Sequence, residues 1–366
     1  VHVLSVSSLK GGVGKTTVTL GLASAAMNRG LRTLVIDLDP QCNATHGLGA
    51  IGDFDVTSAE VIRKPRHNVV LKAILSSTWT RGASQVLDVL PGSGRIADLD
   101  RPNPRHNDLW RLDQALNALE ADYDLILIDT PPSINALTRL AWVASDRTLL
   151  VAEPSLNAVV AVRRAVDAFE VVRRKINPQI QLFGVLVNRL RSALPEHNFR
   201  VNELDELFGE LILSDPLEER SAVQQAQGAA RSIHSWPGQN AAKVAKRFDG
   251  LLDEVITSFA KDDISRIAAR EGRTSKGPKN RRARDRDRSI GLVEANKAGA
   301  KKSSRPVAKP RTATAIVIEQ PEIVVDPKYQ SVFEDSLRQS MTEKQIKQMR
   351  KSIEIKIEDV ANPEDN

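Results

Sequence analysis

One cysteine, Cys42, among 366 residues leaves this chain without an internal disulfide and without the thiol pairs that iron–sulfur clusters and many zinc sites require. That usage fits a reducing compartment. Aromatic residues make up only 4% of the sequence, and two of them are tyrosines, Tyr123 and Tyr329. Apolar runs such as TLLVA and LILI stop far short of the roughly 20 residues of a membrane span, and no charged segment followed by an apolar one precedes the first motif. A cytoplasmic, unexported protein with no membrane attachment is therefore expected.

The sequence also lacks an even spread of charge. Residues 1–260 hold 28 Lys and Arg against 29 Asp and Glu, residues 261–315 hold 17 against 6, and residues 316–366 hold 7 against 11. The net charge of +6 thus describes one segment and not the whole. That segment is rich in Lys, Arg, Gly, Pro and Ser and cannot bury enough apolar surface to offset the entropy of ordering, so 261–315 is expected to be a basic disordered linker. The stretch 316–366, with apolar residues loosely along one helical face, is expected to be a short helical interaction tail, too small for a core of its own.

What is present in 1–260 is a series of short apolar runs alternating with helix-period segments. Strands are expected at 2–8, 32–37, 85–91, 124–130, 147–153 and 180–188, and helices at 15–29, 107–121, 134–144, 157–176, 199–208, 219–230 and 239–260. Most of the strand segments are apolar throughout, as strands covered on both faces are. The pattern predicts an α/β fold: a doubly wound, mostly parallel sheet with helices on both faces, ligands gathering at the C-terminal strand ends, and a disordered C-terminal extension.

The chemistry-bearing motif is KGGVGKTT at 10–17, set between a strand and a helix. It departs from the ordinary phosphate loop G-x-x-x-x-G-K-[ST] by placing Leu9 where the first glycine belongs and by adding a second lysine, Lys10. Glycines in such a turn let backbone N–H groups face inward, and the helix that follows adds the positive end of its dipole. Lys15 is placed to meet the β- and γ-phosphates and Thr16 to ligate Mg²⁺. Two acidic strand ends, Asp37 and Asp39 in VIDLDPQ and Asp129 in LILIDTPPS, supply the carboxylates that phosphoryl transfer uses for the metal's water shell and for orienting an attacking water.

These residues resemble the deviant Walker A ATPases of the ParA and MinD type, a branch of the P-loop NTPases, over about 1–260. The resemblance rests on K-G-G-x-G-K-T-T, on D-x-D-P-Q at 37–41 followed by NAT, on I-D-T-P-P at 128–132, on VLVNR at 185–189 and on EERSAVQQAQGAARSI at 218–233. It implies that Lys10 reaches across a dimer interface to the phosphates of the other subunit's nucleotide, so that ATP joins two subunits and hydrolysis parts them. It further implies that Asp39 sets up the attacking water, Asp37 supports the Mg²⁺ shell, Asp129 is the Walker B acid, Asn188 reads adenine and Pro216 lies against the base. Gly11, Gly12, Val13, Gly14 and Thr17 complete the cradle.

Within the family, branches that need cysteine pairs, a C-terminal tyrosine cluster or a basic amphipathic C-terminal helix do not match this chain. What matches is a small ParA-like positioning ATPase. The resemblance then implies an ATP-bound homodimer that binds nucleoid DNA without sequence preference and a ParB-like or other cargo adaptor that stimulates slow hydrolysis. Arg220, Arg231, Lys243, Lys246 and Arg247 are the candidate DNA-contacting residues of the folded part, and the basic linker is a second candidate. Another reading stays open: a nucleotide-holding assembly or regulatory adaptor with little turnover that acts through its tail.

Overall fold

The computed structural model describes residues 1–80, 86–119 and 122–274. Expected strands become β1 (His2–Ser7), β2 (Thr33–Asp37), β4 (Leu87–Leu90), β5 (Leu125–Asp129), β6 (Arg147–Ala152) and β7 (Gln181–Val187), joined by a two-residue β3 (Leu75–Ser76). They form one sheet in the order β3-β4-β2-β5-β1-β6-β7. All neighbouring pairs are parallel except β3 with β4. In the register of β2 and β5, Asp37 stands opposite Asp129, so the two acidic motifs end side by side.

Helices cover both faces because the central strands are apolar on both. Leu4, Val6, Leu125 and Leu127 point to one side, where α1 (Lys15–Asn28), α2 (Asn43–Gly47), α9 (Ser221–Gly228) and α10 (Gln239–Thr274) complete the core. Val3, Ile36, Ile126 and Ile128 point to the other, against α3 (Ser58–Arg63), α4 (His67–Ala73), α5 (Arg111–Leu116), α6 (Ala136–Val143) and part of α7 (Ala158–Lys175). The rest of α7 packs with α8 (Pro195–Phe208) over β6 and β7.

Helix α1 is fastened to the long α10 along its length. A side chain at Gly21 would overlap the Phe248 ring, so the glycine lets α10 approach closely. Further along, Ser24 Oγ and His234 Nδ1 lie 2.6 Å apart, and His234 Nε2 lies 3.1 Å from Asp249 Oδ1. At the C-terminal end, Arg29 forms a two-point ion pair with Asp253 and also donates to the Asp249 carbonyl at 3.0 Å.

The structure departs from the sequence reading in three places. The helix expected at 107–121 is broken into a 3₁₀ turn (His106–Trp110), α5 and a second 3₁₀ turn (Asn117–Leu119). Leu109, Leu112, Ala115, Leu116 and Leu119 of this stretch are buried across all three pieces. The short α2, α3, α4 and β3 have no counterpart among the expected elements. They are too brief for periodicity to declare, although Thr57 and Glu60 form a capping box at the start of α3. Helix α10, expected to end at 260, extends to Thr274. The first residues of the linker expected at 261–315 are thus part of that helix, and the rest of it and the tail at 316–366 lie outside the described residues.

Candidate active site

The loop between β1 and α1 turns on two left-handed glycines, Gly12 at φ 82° and Gly14 at φ 92°. Both conformations are unfavourable for any residue with a Cβ. At Gly14 a Cβ would also overlap the side-chain amide of Asn188, which packs against the loop and donates from Nδ2 to the Val13 carbonyl at 2.7 Å. The backbone N–H of Asn188 is held by the Ala152 carbonyl at 2.7 Å. The end of β7 therefore braces the loop from beneath.

Lys15, the first residue of α1, is buried at 6% exposure with its ammonium 3.4 Å from Ser8 Oγ. Burial pushes its pKa down, against the pull of Asp129 and Asp39, which favour the charged form. Thr16 Oγ1 donates to Asp129 Oδ2 at 2.7 Å, and Thr19 Oγ1 donates to Asp129 Oδ1 at 3.0 Å. Asp37 accepts from the Asp39 amide at 3.0 Å, from the Thr45 amide at 2.9 Å and from Thr45 Oγ1 at 2.7 Å. Asp39 accepts from the Gln41 amide at 2.9 Å.

Asp37 and Asp129 are fully buried, and their pKa values rise for that reason, to about 6 and about 7. For Asp129 the charge of Asp37 is the second cause, and for Asp37 the hydrogen bonds of Thr45 work the other way. Gly92 is tight against this pair, since a Cβ there would come within 3.0 Å of Asp37 Cγ. Two buried carboxylates facing one buried ammonium leave the pocket floor short of positive charge. That donor set fits Mg²⁺, which binds through one or two carboxylates and takes its remaining ligands from phosphate and water. Among the described residues no group of three or more His, Cys, Asp or Glu side chains converges to hold an ion unaided, as suits a metal that arrives with a nucleotide.

The structure brings Gly11 to Thr17, Asp37, Asp39, Asp129 and Asn188 to one end of the sheet. Lys10 behaves differently from Lys15. Its ammonium is held within the subunit by an ion pair with Glu153, at the C-terminal end of β6, and lies 3.4 Å from Ser155 Oγ. Pro216 is half-buried on a segment whose next residue, Leu217, donates to the Val187 carbonyl beside Asn188. The five candidate DNA residues form no single cluster of free charge. Arg220 pairs with Glu218, Arg247 is engaged with the Asp215 carbonyl and Glu254, and Arg231 lies over the Trp236 ring. Lys243 and Lys246 are exposed on α10.

Sequence reasoning missed the supporting residues. Thr19 and Thr45 hold the carboxylates, Glu153 holds Lys10, and Gln227 accepts from Thr17 Oγ1 at 3.2 Å. Thr45 had a signal, as part of the NAT that follows D-x-D-P-Q, and so did Gln227, within the motif at 218–233.

A buried lysine and a half-buried threonine at the mouth of a left-handed glycine loop, beside two acidic strand ends of a doubly wound sheet, define a P-loop nucleoside triphosphatase. An AAA domain family model matches residues 1–182. The sporulation initiation inhibitor protein Soj of Bacillus subtilis is 31% identical over 240 residues, which cover 63% of this chain and 89% of that protein. The chromosome partitioning protein ParA of Caulobacter vibrioides is 32% identical, covering 64% of this chain and 86% of that protein. The chain belongs to the ParA-type deviant Walker A ATPases, the partition and positioning ATPases. Among solved structures, cobyrinic acid a,c-diamide synthase from Mycobacterium smegmatis with a bound ATP analogue and magnesium shares the fold at a TM-score of 0.57 and 23% identity, covering 70% of this chain and 96% of that one.

Proposed function

We propose that this protein is an ATP-dependent dimerising switch that binds DNA without sequence preference and positions a cargo, its slow hydrolysis stimulated by a cargo-bound partner. The observation that carries the reading is the contrast between the two lysines of one loop. Lys15 is buried over the carboxylates, where its subunit's own nucleotide would lie. Lys10 is 42% exposed in its side chain and, among the described residues, tethered only by Glu153 and Ser155, so it can be redirected toward a second subunit.

In this reading the inward N–H groups of residues 11–17 hold the phosphates, and Lys15 neutralises the charge between β and γ. Thr16, with Asp37 and Asp129 behind it, would hold Mg²⁺, which supplies further charge compensation when bound. Asp39, buried at 7% exposure and fixed by the Gln41 amide, orients the attacking water. Lys10 of the facing subunit offsets charge that builds in the transition state, in the manner of an arginine finger. Asn188 reads the base through Oδ1, which accepts from no group among the described residues, and Pro216 lies against the ring.

The relatives named above support partition and positioning. DNA contact by Lys243, Lys246, Arg220, Arg231 and Arg247, and a ParB-like or other cargo adaptor as partner, complete the proposal. The experiment is ATP-dependent dimerisation, measured by light scattering, together with turnover. Lys15→Ala should lose nucleotide binding. Lys10→Ala should bind ATP but stay monomeric, and Asp39→Ala should dimerise and remain on DNA. A Lys10→Ala protein that dimerises and hydrolyses like the unaltered chain would defeat the reading, leaving a nucleotide-binding adaptor in its place.

A further inference from the structure

The face of the sheet opposite α9 and α10 carries its own concentration of positive charge, on two segments that the nucleotide site does not use. Between Glu60 and Lys72 there are four cations and one carboxylate, and between Arg101 and Arg111 three cations and one. Each segment contains Pro-Arg-His, at 65–67 and at 104–106. The structure brings them together: Arg111 donates from Nη1 to the carbonyl oxygens of Ile62, at 3.4 Å, and Arg63, at 3.1 Å. The turn after α3 and the loop before α5 are therefore neighbours.

Carboxylates in this region already have partners other than Lys64, Arg66, Lys72, Arg101 and Arg105. Glu60 is shared between Arg63 and Arg95, Asp98 meets Arg63, and Asp108 takes Arg111. Asp100 accepts from Ser133, Asn135 and the Leu137 amide. Lys64, Arg66, Lys72, Arg101 and Arg105 are all exposed, and none pairs with a carboxylate among the described residues. Five uncompensated cations repel one another, although residues 1–260 as a whole match 28 basic residues, these five included, with 29 acidic ones. Phosphate relieves that repulsion. With little aromatic surface beside them, these side chains suit the sugar-phosphate backbone and not stacked bases.

We propose that Lys64, Arg66, Lys72, Arg101 and Arg105 form a second surface for the backbone of double-stranded DNA. It rests on the DNA-binding reading above and extends it from coating to bridging. Residues of α3, α4 and α5 bury against Ile36 and Ile126, while those of α9 and α10 bury against Val6 and Leu127. Lying on opposite faces, the two surfaces engage separate duplex segments.

The test uses the full chain with Mg²⁺ and ATP and two random-sequence duplexes, one fixed to beads and one free and labelled. The unaltered chain should capture the free duplex on the beads. Combined Lys64→Ala, Arg66→Ala and Arg105→Ala should keep ATP binding and binding to the fixed duplex but reduce capture of the second by about tenfold or more. The log–log salt slope of that capture should fall by about 0.9 for each phosphate the variant no longer neutralises. Arg66→Lys with Arg105→Lys should preserve capture, because backbone binding needs charge and not a planar fork. Undiminished capture by the triple alanine variant would overturn the second surface while leaving DNA binding intact. Failure of the unaltered chain to bind any duplex with ATP would overturn both.

Discussion

Gly14 concentrates the demands of the loop in one residue. Its φ of 92° is closed to side chains, and the space a Cβ needs is filled by Asn188. Gly14→Ala should cost about 1–2 kcal/mol for the backbone alone and more for displacing Asn188, read as a lower urea midpoint and weakened nucleotide binding. The paired carboxylates carry a prediction of different sign from most acidic residues. Asp37 and Asp129 hold protons more tightly folded than unfolded, so the nucleotide-free protein gains stability at low pH from them. That gain is lost as pH rises from the ordinary carboxylate range through about 7. Thermal unfolding across that window should show a falling Tm without nucleotide, and Asp129→Asn should flatten the fall. Mg²⁺ with ATP should also flatten it, by stabilising the charged forms.

At the scale of elements, the contact between α1 and α10 leaves no room for a side chain at Gly21. Gly21→Val, which forces Phe248 aside, should destabilise by about 1–3 kcal/mol, and Phe248→Ala, which leaves a cavity, by about 3–5 kcal/mol. Chemical denaturation measures both. The central strands were legible in the sequence because each is a short apolar run with a distinct boundary, and the loop because its glycines and lysines are spaced by the chemistry. The supporting shell was not legible. Glu153 reaches Lys10 across 143 positions, and Thr45 reaches Asp37 through a turn whose Cys42 adopts φ 57°. Such partners are chosen by tertiary approach, which local pattern does not record. The same holds for α3 and α4, whose brevity hid them even though the capping box of Thr57 and Glu60 stood in plain sight.

For the whole molecule, the electrical asymmetry of the chain sets the sharpest expectation. If residues 275–315 neutralise phosphates, their deletion, leaving α10 entire, should reduce the salt dependence of DNA binding by about 0.9 per phosphate in log–log slope. An unchanged slope would assign binding to the folded part. The fastening of α1 has a mechanical consequence of its own. Gly21 against Phe248, Ser24 through His234 to Asp249, and Arg29 on Asp253 pin one helix to another at three heights. A helix so pinned works as a strut. A nucleotide that shifted its N-terminus would carry α10 with it, with little bending between the two helices.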